Sequence, residues 1–245
     1  MLSVPAGSDP NEDAAGVLGE TAVVVDGAGI PARFRAGCRH SVAWYSHHLA
    51  ACFLQRALEA PDLRAALAEA IVDVRGMHEG ECDLAAGSPS ATVAAARIAD
   101  GRVDYLVLCD CSVLIRRTDG TVARFTDDRV DRIRPAAPTA EAVEALRNHP
   151  DGFWVARHEE EAAAQALVGS LPMRQVRRIH LVSDGITRAI EQLGTHSAVQ
   201  LEADLAVDAP GFVRGLRAGE AALDVARRPR KVHDDATVIT IRTGA

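Results

Sequence analysis

The apolar pattern of the chain changes period once, near residue 91, and no other feature constrains the fold as strongly. Before that point Val42, Tyr45, Leu49, Cys52 and Phe53 recur at helical spacing, and after Pro61 so do Leu63, Ala66, Leu67, Ala70, Ile71 and Val74. Two consecutive amphipathic helices are expected. Beyond it the apolar runs shorten to residues 92–98, 104–111, 113–117 and 122–126, broken by the turn pairs Asp100-Gly101 and Asp119-Gly120. That is the pattern of an antiparallel meander. Residues 21–25, 178–183 and 237–241 are predicted as further strands, with helical patterns at 186–193 and 212–226. Paired helices between runs of antiparallel strands, with the first and last strands far apart in sequence, indicate an α+β layered fold rather than a parallel βαβ one.

Neither an internal repeat nor a linker interrupts the sequence, so residues 1–245 are expected to form one domain. Residues 1–12, rich in Gly, Ser, Pro, Asn and acids, are predicted as a frayed arm or loop leading into the first strand. Residues 127–176, rich in Pro, Ala and Glu with short helical patterns near 139–148 and 159–168, are predicted as an insertion at the edge of the sheet.

With 27 Lys and Arg against 34 Asp and Glu, the net charge of −7 offers no footprint for nucleic acid. A basic leader with an apolar segment is missing, as is any run of 18 apolar residues, so a cytoplasmic protein without membrane contact is expected. Five scattered cysteines are an odd number, unlike a disulfide framework, and are expected to be reduced. Cys109 and Cys111 are placed on a strand with both thiols on one side, as buried packing. His40, His47 and His48 are placed on the first helix, as a solvated or packed surface. Gly27 and Gly29 after a strand lack the third glycine and following acid of a dinucleotide fingerprint. Lys231, the only lysine, fits the residue usage of a high-GC genome and is given no function.

The chemistry lies where apolar strands hand an acid to the following turn. Asn11-Glu12-Asp13 precedes the first strand and Asp26-Gly27 follows it; Cys109-Asp110 and Ser183-Asp184-Gly185 end later strands, and Asp234-Asp235 leads into the last. Taken singly, each is explained by the ability of Asp and Asn to start turns. As a set they are not, because carboxylates at neighbouring strand ends repel one another unless a cation lies between them. A shared cluster therefore points to hard ions such as Mg²⁺ or Mn²⁺.

In order and spacing these motifs, with Asp26-Gly27-Ala28-Gly29 and Thr126-Asp127-Asp128-Arg129, resemble the metal-dependent protein phosphatase 2C family across essentially the whole chain. A divergent bacterial member, of actinobacterial type, is the implied identity. The resemblance implies an αββα sandwich, two stacked antiparallel sheets with helices outside, and a binuclear metal site at one end of the sheets. It implies that Asp26 bridges two Mg²⁺ or Mn²⁺ ions, that the Gly27 carbonyl and the Glu12–Asp13 corner serve one of them, and that Asp184 and Asp234 serve the other. Asp110 with Asp184 resembles the pair that holds a third, weaker ion. A water bridging the two metals, deprotonated to hydroxide, would attack phosphorus directly.

The resemblance also exposes departures. Ser8 stands where the family commonly has a phosphate-gripping arginine, so Arg33 or Arg35 is the expected replacement for holding substrate. Ala28 replaces a histidine of many eukaryotic members, and Ile30 the second glycine of a usual pair. Residues 127–176 match the position of the family's mobile flap beside the active site. The implied function is hydrolysis of phosphoserine or phosphothreonine in proteins, as part of bacterial signalling. The competing function is a pseudophosphatase that only binds a phosphorylated partner or ligand.

Overall fold

The computed structural model describes residues 1–29, 31–224 and 231–243. Ile30 and the last two residues of the helix predicted to end at 226 lie outside that range. Strand β3, Thr21–Gly27, shows why the fold is layered. Its alternate residues Val23 and Val25 face one apolar cluster while Ala22 and Val24 face another. A strand covered on both faces reads as a continuous apolar run.

The first cluster packs β3, β4 (Ala91–Ala99) and β5 (Arg102–Leu108) against α1 (Val42–Arg56) and α2 (Leu63–His78), through Tyr45, Leu49, Phe53, Leu67 and Ile71. Ser41 and Asp62 cap the two helices by accepting from the Trp44 and Ala65 amides. A second cluster joins that sheet to the other sheet, where Val113 and Ile115 of β6 (Ser112–Arg117) meet Ile179 and Leu181 of β9 (Val176–Val182). A third lies outside the second sheet, under α5 (Asp184–Glu191) and α6 (Ala198–Ala221), which follow the short helices α3 (Arg129–Ile133) and α4 (Ala140–Glu144). The order is helices, sheet, sheet, helices: the expected αββα sandwich.

With β1 (Leu2–Val4), β2 (Ala14–Leu18), β7 (Val122–Thr126), β8 (Leu167–Pro172) and β10 (Ala236–Arg242), each sheet has five strands. Their orders are β1-β10-β9-β6-β7 and β2-β3-β4-β5-β8, with every strand pairing antiparallel.

Several elements differ from their sequence expectations. The predicted meander is two hairpins in different sheets, because the chain crosses between sheets at Cys109–Asp110–Cys111, where Cys109 takes a positive φ of 65°. That turn also parts the two thiols: Cys111 enters the inter-sheet core and Cys109 packs with Val130, Phe153 and Val155. The arm is not frayed, since Leu2–Val4 pairs with β10 and the Asp235 carboxylate accepts from the Ala6 and Glu12 amides, each at 2.7 Å. The helical pattern read over 159–168 gives way at its end, where residues 167–172 are edge strand β8 beside β5. α6 begins 14 residues before the predicted start and bends at Asp208, whose carboxylate accepts from Gly211 N ahead of a new helical run.

The Asp-Gly pairs owe their glycines to two different causes. At Asp100-Gly101 both residues have positive φ, as a tight hairpin requires. At Gly27 and Gly185 the cause is crowding: a Cβ on Gly27 would meet Glu12 O at 2.7 Å, and one on Gly185 would overlap the Asp235 carbonyl. Gly185→Ala is therefore expected to lower stability by about 2–3 kcal/mol. Gly76→Ala, on an exposed turn of α2 with nothing within 4 Å, is expected to raise it by about 0.5–1 kcal/mol. Urea unfolding of both variants checks the opposite signs.

Candidate active site

Strand register gathers the acidic corners. In one sheet Ala14 pairs with Val25 and Val93 with both Val25 and Leu108, so Asp13, Asp26 and the Cys109–Asp110 turn leave the same edge. In the other, Val182 pairs with Val238 and Ser112, which brings Asp184, Asp234 and Asp110 to the matching edge. Asp184 opens α5, and its amide donates to Asp26 Oδ2 at 3.2 Å, joining the sheets across the floor of a cleft. The positive end of the α5 dipole lies at the same place.

Asp26, Asp110 and Asp184 are half-buried at that floor, and each pKa is raised above the usual carboxylate range. For Asp26 the first cause is desolvation, followed by the charges of Asp13, Asp184, Asp110 and Asp234. Asp184 is raised by desolvation and then by Asp110 and Asp234, with Arg188 working against them. Asp13, only 3% exposed, is pushed up to about 7 by burial. The Thr237 and Ser183 hydroxyls moderate that rise, yet neither reaches an Asp13 oxygen at hydrogen-bonding distance, and both oxygens are left without a partner. An orphaned buried carboxylate among like charges fits a hard divalent cation.

Among the described residues two cations pair with this ring, Lys231 and Arg188, and neither carries a role in the sequence reading. Lys231 Nζ lies 3.4 Å from Glu12 Oε2 and 3.3 Å from Asp234 Oδ1. Arg188, one helical turn after Asp184, donates to Asp234 Oδ2 at 2.7 Å and to buried Glu220 at 3.1 Å. Against them stand six carboxylates: Glu12, Asp13, Asp26, Asp110, Asp184 and Asp234. The two residues of the Asp234-Asp235 pair also part company. Asp235 spends both oxygens on the backbone of the N-terminal arm, whereas Asp234 faces the cleft.

The cleft holds about 500 Å³. One wall comes from residues 127–176, through Val130, Arg134, Val143, Arg147 and Phe153. In the same segment Asp127 accepts from Arg129, and its amide donates to Cys109 O, fastening the wall to the crossover turn. Of the residues expected to grip phosphate, Arg33 lies outside the lining and pairs with exposed Glu141 at 2.6 Å. Arg35 is also outside it, while Phe34 between them borders the cleft. Among the described residues the arginines that line it are Arg134, Arg147 and Arg188.

A family model described as protein phosphatase 2C matches residues 6–206, well over half of the chain. The chain belongs to the protein phosphatase 2C family. It is thus a family member of the protein serine/threonine phosphatase class, and its Asp234-Asp235 corner lies beyond the matched stretch. Solved structures with the same fold include the serine/threonine phosphatase PstP/Ppp of Mycobacterium tuberculosis, 19% identical, covering 98% of this chain and 95% of that one with a TM-score of 0.58. A serine/threonine phosphatase of Staphylococcus aureus is 14% identical over 100% of this chain and 94% of its own, with a TM-score of 0.61. The catalytic domain of PstP in complex with two manganese ions is 17% identical, covering 98% of this chain and 94% of that one, with a TM-score of 0.59. No curated protein matches the chain in sequence.

The raised acids give this phosphatase 2C chain a pH signature. Unfolded, Asp13 loses its proton near 3.8; folded, it keeps it to about 7. Between those values the folded state holds a proton that the unfolded state lacks, so stability falls as pH rises. Asp26 and Asp184, shifted the same way, add to the fall. Buried His180, held down to about 4, acts in the opposite sense below its ordinary 6.5, so the acids dominate above that pH. The metal-free thermal midpoint is expected to drop as pH rises from 6.5 through the Asp13 value of about 7, and Mn²⁺ to cancel most of the drop. A midpoint that rises over this window without metal contradicts the assignment.

Proposed function

We propose that the protein hydrolyses phosphoserine or phosphothreonine in proteins, using two Mg²⁺ or Mn²⁺ ions held between Asp26 and its acidic neighbours. The supporting observation is the orphaned Asp13 carboxylate within a ring of six acids, where among the described residues Lys231 and Arg188 are the cations paired with its members. Asp26, with the Gly27 carbonyl, Glu12 and Asp13, would hold one ion. Asp26 with Asp184 and Asp234 would hold the other, and Asp110 with Asp184 a weaker third. Bound there, the cations supply the acidity that turns a water into a nucleophile and the charge that offsets the phosphoryl oxygens.

The chain itself supplies the rest. Arg188, fixed by Glu220 and by the Lys231 and Val232 carbonyls, holds Asp234 toward the cleft. Its burial makes that pair sensitive, since deleting one partner leaves the other charge uncompensated. Lys231 neutralises Glu12 and Asp234 and would swing away as a metal arrives. Arg134, only loosely paired with Asp131 at 3.4 Å, is placed to meet the phosphate or the acidic flank of a peptide, whereas Arg147, nearly buried and paired with Glu144 at 2.8 Å, would have to leave that partner first. Both belong to residues 127–176, which we assign as a flap-like insertion of the single 1–245 domain and the seat of substrate choice. Arg33 would need to leave Glu141 before it could contribute.

Asp26→Asn and Asp184→Asn keep the side-chain shape and remove the charge. Outer-shell changes at metal sites already cost about 10–100-fold, so each variant is expected to lose at least about 100-fold in turnover of a phosphothreonine peptide. Asp151→Asn, in an exposed turn, should stay near wild type. Full activity of the wild type in excess chelator, or of Asp184→Asn at saturating Mn²⁺, contradicts the assignment. Tight phosphopeptide binding with no hydrolysis at any metal concentration replaces it with a binding role.

A further inference from the structure

Cys38, His40, His78 and Cys82 converge away from the acidic cleft. One ligand atom from each lies within 4.8 Å of every other. His40 was expected on the first helix, but it precedes that helix's cap, Ser41, and so turns toward the end of α2. Cys38 and His40 come from the loop before α1, His78 closes α2, and Cys82 follows it. Two segments some forty residues apart in sequence therefore meet at one point.

We propose that these four residues form a tetrahedral Zn²⁺ site that is structural and separate from the catalytic ions. A zinc ion bonded to sulfur at about 2.3 Å and to nitrogen at about 2.05 Å sets tetrahedral S···N edges of about 3.5 Å and an S···S edge of about 3.8 Å. Here Cys38 Sγ lies 3.5 Å from His40 Nδ1 and 3.3 Å from His78 Nδ1, and Cys82 Sγ lies 3.5 Å from His40 Nδ1. Two of these three S···N edges match the bound site and the third, at 3.3 Å, is slightly shorter. The two sulfurs are 3.1 Å apart, beyond the roughly 2.05 Å of a disulfide, and need only a small separation to admit the ion.

The surroundings are organised to match. Trp44 lies against His40 in a tilted pair with centroids 4.1 Å apart and 5.3 Å from the His78 ring, confining both imidazoles. Desolvation lowers both histidines, which keeps their lone pairs free for a metal. The Asp83 amide donates to Gly37 O at 2.9 Å, and Arg39 pairs with Glu81, so the two segments are already joined on either side. Cys38 and His78 are buried while His40 and Cys82 keep some exposure, leaving a route for the ion. Two thiolates and two imidazoles select zinc over the hard ions suited to the carboxylate cleft. Four protein ligands leave no open position for substrate, so the role is to staple residues 31–40, including Pro31 and Phe34 at the cleft edge, onto α2.

The test uses the full chain, reduced with a non-chelating phosphine and held in excess Mg²⁺ to occupy the oxygen-donor cleft. One equivalent of zinc is expected to survive desalting. Co²⁺ in its place should give tetrahedral d–d bands and a thiolate charge-transfer band, which carboxylates cannot produce. Cys38→Ser combined with Cys82→Ser should lose both signals and the zinc-induced rise in thermal midpoint. Cys82→Ala alone, at a partly exposed position, should lower zinc affinity while keeping the fold. Failure of the reduced wild type to retain zinc overturns the proposal, as does equal retention by the variants. So does a Cys38–Cys82 disulfide in the isolated protein whose reduction yields no metal uptake.

Discussion

Mutual repulsion among half-buried carboxylates is the constraint on which the rest of the structure depends. Asp26 is attached to one sheet and Asp184 to the other; burial with the Asp13 and Asp184 charges raises the Asp26 pKa, and burial with the Asp110, Asp234 and Asp13 charges raises that of Asp184 where the layers meet. Left alone, such a cluster would pry the sheets apart or take up protons. It is tolerated because apolar burial between and outside the sheets is extensive, and because Arg188, Lys231 and the Asp184 amide direct positive charge or dipole at it. The strain at Cys109 is placed beside the same cluster, where the chain crosses between sheets.

The scaffold separates support from chemistry. Asp235 and Asp127 have their oxygens occupied by backbone amides or an arginine, and they tie the arm and the insertion in place. Asp234, one residue from Asp235, is left to the cleft. Gly27 and Gly185 let backbone pass where any side chain would intrude, so the motif glycines carry packing rather than turn geometry. Among the described residues no helix is long and apolar enough to cross a membrane.

Much of this was legible in the sequence because the signals were local and periodic. The helical repeats of α1 and α2 and the β-prone runs with their Asp-Gly turns were read close to their observed bounds. Both the α+β class and the sandwich implied by family resemblance match the structure. β1 and β2 were illegible since edge strands of three and five residues exist only by pairing, β1 through Leu2 with Val238. The split of the meander between sheets depended on one positive φ at Cys109, a conformation that a non-glycine residue does not advertise. In the site the acids stood out in sequence, but Arg188 and Lys231 did not, because an arginine within a helix and a lone lysine look like solvated charge. The Cys/His cluster was missed for a related reason: its two halves are ordinary in sequence and meet only when α1 and α2 pack antiparallel.

The most direct test of the central claim counts protons. If the acids hold protons in place of cations, Mn²⁺ binding near pH 6.5 must expel them, and calorimetry in buffers of differing ionisation enthalpy reads the number released. The account calls for a release of about one proton or more per chain, falling as pH rises past the Asp13 value of about 7 and reduced in Asp26→Asn. Binding of Mn²⁺ with no proton release at that pH would mean that the carboxylates are already ionised and paired, and would contradict it.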